Sequence, residues 1–344
     1  MKYNDTKQEL FNYLNPEDNN QISLMNKKDL NELLHYINNY YLEVRQNLQI
    51  DDYITFGLEL ELEHTNENLI KEAIQKIGIK EDWTVKHDNS LTCGAEITSP
   101  ILVDDEKNWN DLKKICTTLK NYATIGPHCG GHIHIGSQIV NLKPEVLIKF
   151  IKLWSAYENI IYRFLYGEYL TPRPNIFMYA KPIFKLLWDD YEDLCKTSNS
   201  IFEIMIKELY YNRNSAINFY NFHLSNAEPK NTIEFRNPNG SLNPIVWQNN
   251  VNLLIKMFLY ANNSSYNDTI ISKKEKSNEY SLLDSYDKND NLIDEYNKIY
   301  LNQALEFCDM IFENNLDKIY FLRQYLKSFE TSTTTMTKAK TFTR

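Results

Sequence analysis

Between Phe56 and His64 the chain reads FGLELELEH, with Leu58, Leu60 and Leu62 on one parity and Glu59, Glu61 and Glu63 on the other. A period of two belongs to an extended strand, whose successive side chains point to opposite faces. The pattern predicts a strand with one leucine face and one carboxylate face, on which like charges stand about 7 Å apart. Glutamate is also a weak strand former, so the charged face calls for compensation, by water or by cations. Further strand-like runs are WTVKHDNS and CGAEITSPIL, joined by a turn near Asn89, then GGHIHIGSQ, SAINFYNF and NTIEFRN.

Between these runs the apolar spacing is helical. It predicts an amphipathic helix over residues 30–48 and another over 68–77. DDEKNWNDLKKICTTLKNYA carries acidic residues in its first turn, where the helix dipole favours them. PEVLIKFIKLWSAYENIIYRFLYG opens on Pro144 and stops at Gly167, the asymmetry expected of helix ends. Helices are also predicted over 200–211, in IVWQNNVNLLIKMFLYA, and over 292–327. TPRPNIFMYAKPIF, with three prolines, reads as irregular. Residues 262–290 read as a polar loop, and STTTMTKAKTFTR as a disordered tail. Hairpin-like strands mixed with long helices, without regular βαβ alternation, predict an α+β fold with a mainly antiparallel sheet. The expected organisation is a helical extension (1–50), a main domain (51–265), a loop and helical segment packed on it (266–330) and the tail (331–344).

A chain of 344 residues, 42% hydrophobic, can bury a sizeable core. Its net charge of −9 and the lack of a basic stripe argue against nucleic acid as a partner. They leave room for a nucleotide if divalent cations reverse the local field. MKYNDTKQELFNYLN lacks the basic start and apolar core of a signal peptide, and no apolar run approaches the length of a membrane helix, so a cytoplasmic location without membrane partners is expected. Five scattered cysteines with no Cys-x-x-Cys pair make a disulfide framework or thiolate zinc site a poor fit. Oligomerisation is left open.

Seven of the nine glycines fall beside four stretches: FGLELELEH, CGAEITSP, GPHCGGHIHIG and EFRNPNGS. Three of the seven histidines, His128, His132 and His134, lie in the third. Glycine permits close approach of backbone to a ligand, so this clustering marks the stretches as candidates for a site. Glu96 and Glu234, each in a strand-like run, can point from a sheet into one cleft with the glutamates of the first strand. Buried carboxylates need partners, and cations are the obvious ones. His132 and His134, two apart, share a face and can ligate a metal or bond a phosphate oxygen. The excess of carboxylate over imidazole favours Mg²⁺ or Mn²⁺ over zinc, for which His128 is the nearest third nitrogen.

Arg236, two residues beyond Glu234, is suited to holding a phosphoryl group; its plain alternative is a cross-strand ion pair. Arg213 either binds a substrate carboxylate or sits on the surface. Asp88 is a ligand, a base or a turn residue. A thiol nucleophile built on Cys129 and His132 is a weak alternative, since residues three apart on a turn seldom make a productive pair. No phosphate-loop, dinucleotide, nucleophile-elbow or H-E-x-x-H motif occurs.

Taken in order, F-G-x-E-x-E at Phe56–Glu61, D-x-S and G-A-E-x-x-S-P between Asp88 and Pro100, C-G-x-H-x-H at Cys129–His134 and E-F-R at Glu234–Arg236 resemble the amidoligase family, over about residues 53–262. That family belongs with glutamine synthetase and glutamate–cysteine ligase among the carboxylate–amine ligases. The resemblance implies a curved, open half-barrel sheet with helices outside it, and ATP with two or three Mg²⁺ or Mn²⁺ on its concave face. It implies Glu59, Glu61, Glu96, His132 and Glu234 as metal ligands, and Arg236 as the residue that steadies the phosphoryl group. His134 would face nucleotide or substrate, and Arg213 and Asn218 match a family segment linked to substrate. Glu63 extends the usual pair and is left without a duty. The implied reaction joins a carboxylate and an amine, as small molecules or peptides, through an acyl phosphate. Two other classes use the same residues: a divalent-metal hydrolase or phosphotransferase, and a non-catalytic binding protein with a remnant site.

Overall fold

The computed structural model describes residues 14–79, 83–88, 91, 93–140, 143–174, 176–183, 212–222, 231–271 and 300–327. Six strands form one antiparallel sheet: β1 (Phe56–Leu62), β2 (Thr84–His87), β3 (Ala95–Thr98), β4 (Gly131–Gly136), β5 (Ile217–Asn218) and β6 (Thr232–Phe235). Their spatial order is β2-β3-β1-β4-β6-β5, so the alternating Leu/Glu strand lies inside the sheet. The larger helices are α1 (Lys27–Asn39), α2 (Glu67–Lys76), α3 (Glu106–Leu119), α4 (Pro144–Leu165), α5 (Pro244–Asn262), α6 (Leu301–Ile311) and α7 (Asn315–Tyr325). The molecule is thus α+β, with one open antiparallel sheet among the described residues.

The leucine parity of β1 is the core parity. Leu58, Leu60 and Leu62 are buried together with Ile97 of β3, Ile133 and Ile135 of β4, and Ile233 and Phe235 of β6. Helices cover this face through aromatic contacts. Phe56 stacks on Trp109 of α3 at 5.1 Å, and Phe235 meets Phe150 and Trp154 of α4 at 5.9 and 5.6 Å and Phe258 of α5 at 6.3 Å. Burying each such ring contributes about 1.5–3 kcal/mol, which makes this layer the main fastening of sheet to helices.

Local chemistry sets the helix ends. Asp105 caps α3 by accepting from Asn108 N, and Asn243 caps α5 by accepting from Ile245 N, with Pro244 at the first helical position. α4 likewise starts on Pro144, and Gly167 follows its end at a φ of 62°, a conformation that favours glycine.

Some expectations change or sharpen. The helix expected over residues 30–48 begins at Lys27 and stops at Asn39. Beyond it the backbone is claimed by distant side chains: Arg45 N donates to Gln248 Oε1, and Leu48 N and Ile50 N donate to the buried carboxylate of Asp104. The helical region expected over 292–327 holds two helices where it is described, divided at residues 312–314, because Asn314 turns its side chain to cap Asp317 N. SAINFYNF keeps only Ile217–Asn218 as strand. The turn at Asn89, the helix at 200–211, most of the 262–290 loop and the 331–344 tail lie outside the described residues. Among the described residues no helix is long and apolar enough to cross a membrane.

Candidate functional site

Opposite the helical layer, the other parity of each strand forms a polar face. Register alone brings its charged residues together: Glu59 faces His132, Glu61 faces Glu96, and His134 faces Glu234, which is also paired with Asn218. Directly opposed residues have their Cβ atoms about 4.5–5.5 Å apart, so five separate stretches of sequence are brought side by side on one face.

Glu59 is the hub. Its Oε2 lies 2.7 Å from His132 Nδ1 and its Oε1 lies 3.1 Å from His134 Nε2. His132 also approaches Glu234 Oε1 through Nδ1 and Glu61 Oε1 through Nε2, each at 3.6 Å. Burial acts to raise the Glu59 pKa, but hydrogen bonds and charge from His132 and His134 outweigh it and hold the carboxyl far below the usual carboxylate range. For His134, burial favours the neutral ring, and the hydrogen bond and charge of Glu59 reverse that, leaving its pKa above 6.5. Glu96 is pushed above 4.5, first by burial and then by the negative charge of Glu59.

Each carboxylate has its own support. Gly130 N donates to Glu61 Oε2. Asn218 Nδ2 donates to Glu234 Oε2 at 2.6 Å, and Arg236 Nη1 donates to Glu234 Oε1. Arg236 thus forms an ion pair with Glu234 two residues back along its own segment, not the cross-strand pair that was its plain alternative, and its Nε donates to Tyr179 O. Glu96 accepts from Thr98 Oγ1 at 3.1 Å, with Lys86 at 3.9 Å.

A cavity of about 320 Å³ opens over this face. Glu59, Glu61, Glu96, His132 and Arg236 line it, with Asp88 and His128 and two residues that sequence reading passed over, Arg173 and Tyr179. Arg173 stands between two prolines in TPRPNIF, a position that signals only an irregular backbone. Arg213 lies outside this lining; it is exposed and sits 3.5 Å over the Tyr220 ring.

Glu63 parts company with Glu59 and Glu61. It bridges to Thr124 beyond the end of β1, is 4% exposed and does not line the cavity. Its Oε2 abuts Gly126, where a Cβ would come within 1.6 Å, and its Oε1 has no hydrogen-bond partner among the described residues. Burial keeps the neighbouring Cys129 thiol protonated, and the charges of Glu63 and Glu61 add to this. The thiol-nucleophile alternative loses its footing there, because the thiolate is the nucleophile.

Glu59, His132 and Glu234 each offer a donor atom, and these atoms lie within 4.8 Å of one another. That spacing suits a single cation held between β1, β4 and β6. Two carboxylate oxygens and one imidazole nitrogen make a donor set compatible with Mg²⁺ or Mn²⁺.

Among protein families, the model described as "Putative amidoligase enzyme" matches residues 79–258, a little over half of the chain. The matched span contains Glu96, His132, His134, Glu234 and Arg236 but begins after β1, so Glu59 and Glu61 join the site through sheet register. No curated protein matches the chain.

Proposed function

The chain belongs to the amidoligase family, and from that premise we propose that it is an ATP-dependent carboxylate–amine ligase, forming an amide or isopeptide bond through an acyl phosphate. The observation that carries this reading is the convergence of donor atoms of Glu59, His132 and Glu234 within 4.8 Å on the open face of the sheet, beside a cavity that Glu59 and His132 line together with Arg173 and Arg236. We read the sheet as the half-barrel of the glutamine synthetase-like ligases, with that face concave.

In this reading a substrate carboxylate oxygen attacks the γ-phosphorus of ATP and ADP leaves. The amine nitrogen then attacks the acyl carbon, phosphate leaves and the amine gives up a proton. No side chain needs to become a nucleophile, which accords with a buried, protonated Cys129. The protein's task is to assemble two anions and steady the charge that moves between them. Glu59, His132 and Glu234 would hold one cation, and Glu61 with Glu96 would serve another. When bound, Mg²⁺ or Mn²⁺ neutralises phosphoryl charge and orients the oxygens.

The remaining residues keep these ligands in place. His134 fixes Glu59, while Asn218 and Arg236 fix Glu234 from either side. Asp88, on the cavity wall, is our candidate for accepting the amine proton. Arg213, outside the cavity lining, is proposed as a peripheral substrate contact.

The test is release of ADP and phosphate from Mg·ATP, screened over paired carboxylic acids and amines. Release that requires both partners and yields an amide supports the ligase. Cleavage of an ester or peptide with metal alone and no use of ATP would overturn it in favour of a hydrolase.

A further inference from the structure

The cavity holds two arginines, and they are not equivalent. Arg236 already spends its charge on Glu234. Arg173 does not: its guanidinium donates to main-chain carbonyls, Pro238 O at 3.2 Å and Arg236 O at 2.9 Å, and among the described residues no carboxylate comes within ion-pair distance of it. It is only 3% exposed. The negative charge that favours it most is that of Glu61, which it does not hydrogen-bond, and a buried cation without a direct partner is costly, whereas one facing a charged ligand is not. Two other largely buried cations carry counter-ions, Arg45 with Asp317 at 2.6 Å and Lys318 with Asp309 at 2.8 Å, whereas Lys327 also donates to carbonyls but lies outside the cavity lining. Arg173 is the cavity-lining arginine that makes no direct ion pair among the described residues.

Its position is firmly held. Arg173 N donates to Asn239 Oδ1, and Asn239 Nδ2 in turn reaches Thr171 O at 3.2 Å, which ties the proline-flanked segment to the turn after β6. Gly130 leaves room for the guanidinium: a Cβ there would lie 1.4 Å from Arg173 Nη1. The same glycine donates its N–H to Glu61 Oε2, so arginine and metal-side carboxylate are set against one backbone unit. Two guanidinium N–H groups serve the carbonyls; the others remain for the cavity.

We infer that Arg173 is the oxyanion anchor of this cavity, taking the carboxylate or phosphoryl oxygens of a bound substrate in a charge-assisted fork that Arg236, paired with Glu234, is not free to offer. The source of the anion rests on the ligase reading; the binding itself requires no turnover. A guanidinium suits this duty because its planar donors match carboxylate and phosphoryl oxygens two at a time.

The experiment is calorimetric titration of the purified full chain, in Mg²⁺, with two separate probes: inorganic pyrophosphate for the phosphoryl source and L-glutamate for the carboxylate source. Wild-type protein should bind at least one. Arg173→Lys, which keeps the charge but loses the fork, and Arg173→Gln should each weaken that probe by about tenfold or more. Loss confined to pyrophosphate assigns the anchor to phosphoryl, and loss confined to glutamate assigns it to the carboxylate. Gly130→Ala, which pushes a methyl group into the guanidinium's place, should lose the same probe. Circular dichroism shows which variants fold, and Arg173→Lys decides the matter if Arg173→Gln does not. Wild-type affinity in Arg173→Lys, or no binding of either probe to wild type, overturns the inference. Anion binding through Arg173 with no ADP release for any acid–amine pair would instead defeat the ligase reading and leave the anchor standing.

Discussion

Glu59 and His134 lie on adjacent strands, two residues out of direct register and so on the same face, with carboxylate Oε1 and imidazole Nε2 3.1 Å apart. The contact couples two titrations in opposite senses. Burial alone would favour the neutral ring of His134, but Glu59 lifts its pKa above 6.5; the protonated ring therefore stabilises the fold fully below about pH 6.5, and this is lost as pH rises through the raised value. The depressed Glu59 contributes above its unfolded value of about 4.5, and its contribution fades as pH falls toward the lowered one. In chelator-treated protein, NMR titration of the imidazole should give a His134 pKa above 6.5 that drops in Glu59→Gln. An unchanged titration in that variant would show that the two groups are not coupled.

Asn218 touches no cavity atom in the proposed chemistry, yet it holds Glu234 Oε2 at 2.6 Å. Removing a group that orients a metal ligand costs about 10–100-fold in metal affinity or activity. Asn218→Ala should weaken Mn²⁺ binding by that order while the protein stays folded, and Asn218→Asp should not rescue it. Mn²⁺ titration by electron paramagnetic resonance reads this directly, and wild-type affinity in Asn218→Ala would remove the positioning role.

The three glutamates of the first strand should separate in function. Glu61 lines the cavity, whereas Glu63 is buried away from it against Gly126. Glu61→Gln is expected to lower ATP turnover by about a hundredfold, and Glu63→Gln to leave it within about twofold. Equal losses in both would mean that Glu63 belongs to the site.

Asp104 is a structural carboxylate of comparable burial. It accepts from Leu48 N, Ile50 N and Trp109 Nε1 and so pins the extended segment 40–50 to α3. Asp104→Ala orphans all three donors and should cost about 2–4 kcal/mol of unfolding free energy, read from urea melts. Turnover per folded molecule should be unchanged, since Asp104 does not line the cavity.

Much of the sheet was legible because its strands carry a two-residue period whose apolar parity is the core. Leu58, Leu60 and Leu62 announce β1, and His132 and His134 announce the matching face of β4. The helices α4 and α5 were legible from Pro144, Gly167 and the long apolar runs between strands. The stop at Asn39 was not, because residues 40–50 take their hydrogen-bond partners from Asp104 and Gln248, far along the chain. Arg173 was missed for a similar reason. What makes it special is a set of carbonyls from Arg236 and Pro238 and a space over Gly130, none of which has a local signature. Arg236 was noticed, with both its readings open; it pairs with Glu234 two residues back in its own strand run and also lines the cavity.

One consequence concerns the order in which the protein assembles. Asn20 N donates to Asn315 Oδ1, a partner 295 residues away in sequence, and Asn315 answers by bonding Asn15 O and Asp18 O, while Ile22 N reaches Asp309. The first and last described segments thus form a clasp behind the helices that back the sheet. Contacts of such separation carry a large loop-closure cost and form late. During synthesis this clasp would wait on the arrival of α6 and α7, so the packing of the first described segment is completed only after every strand of the sheet has already been made.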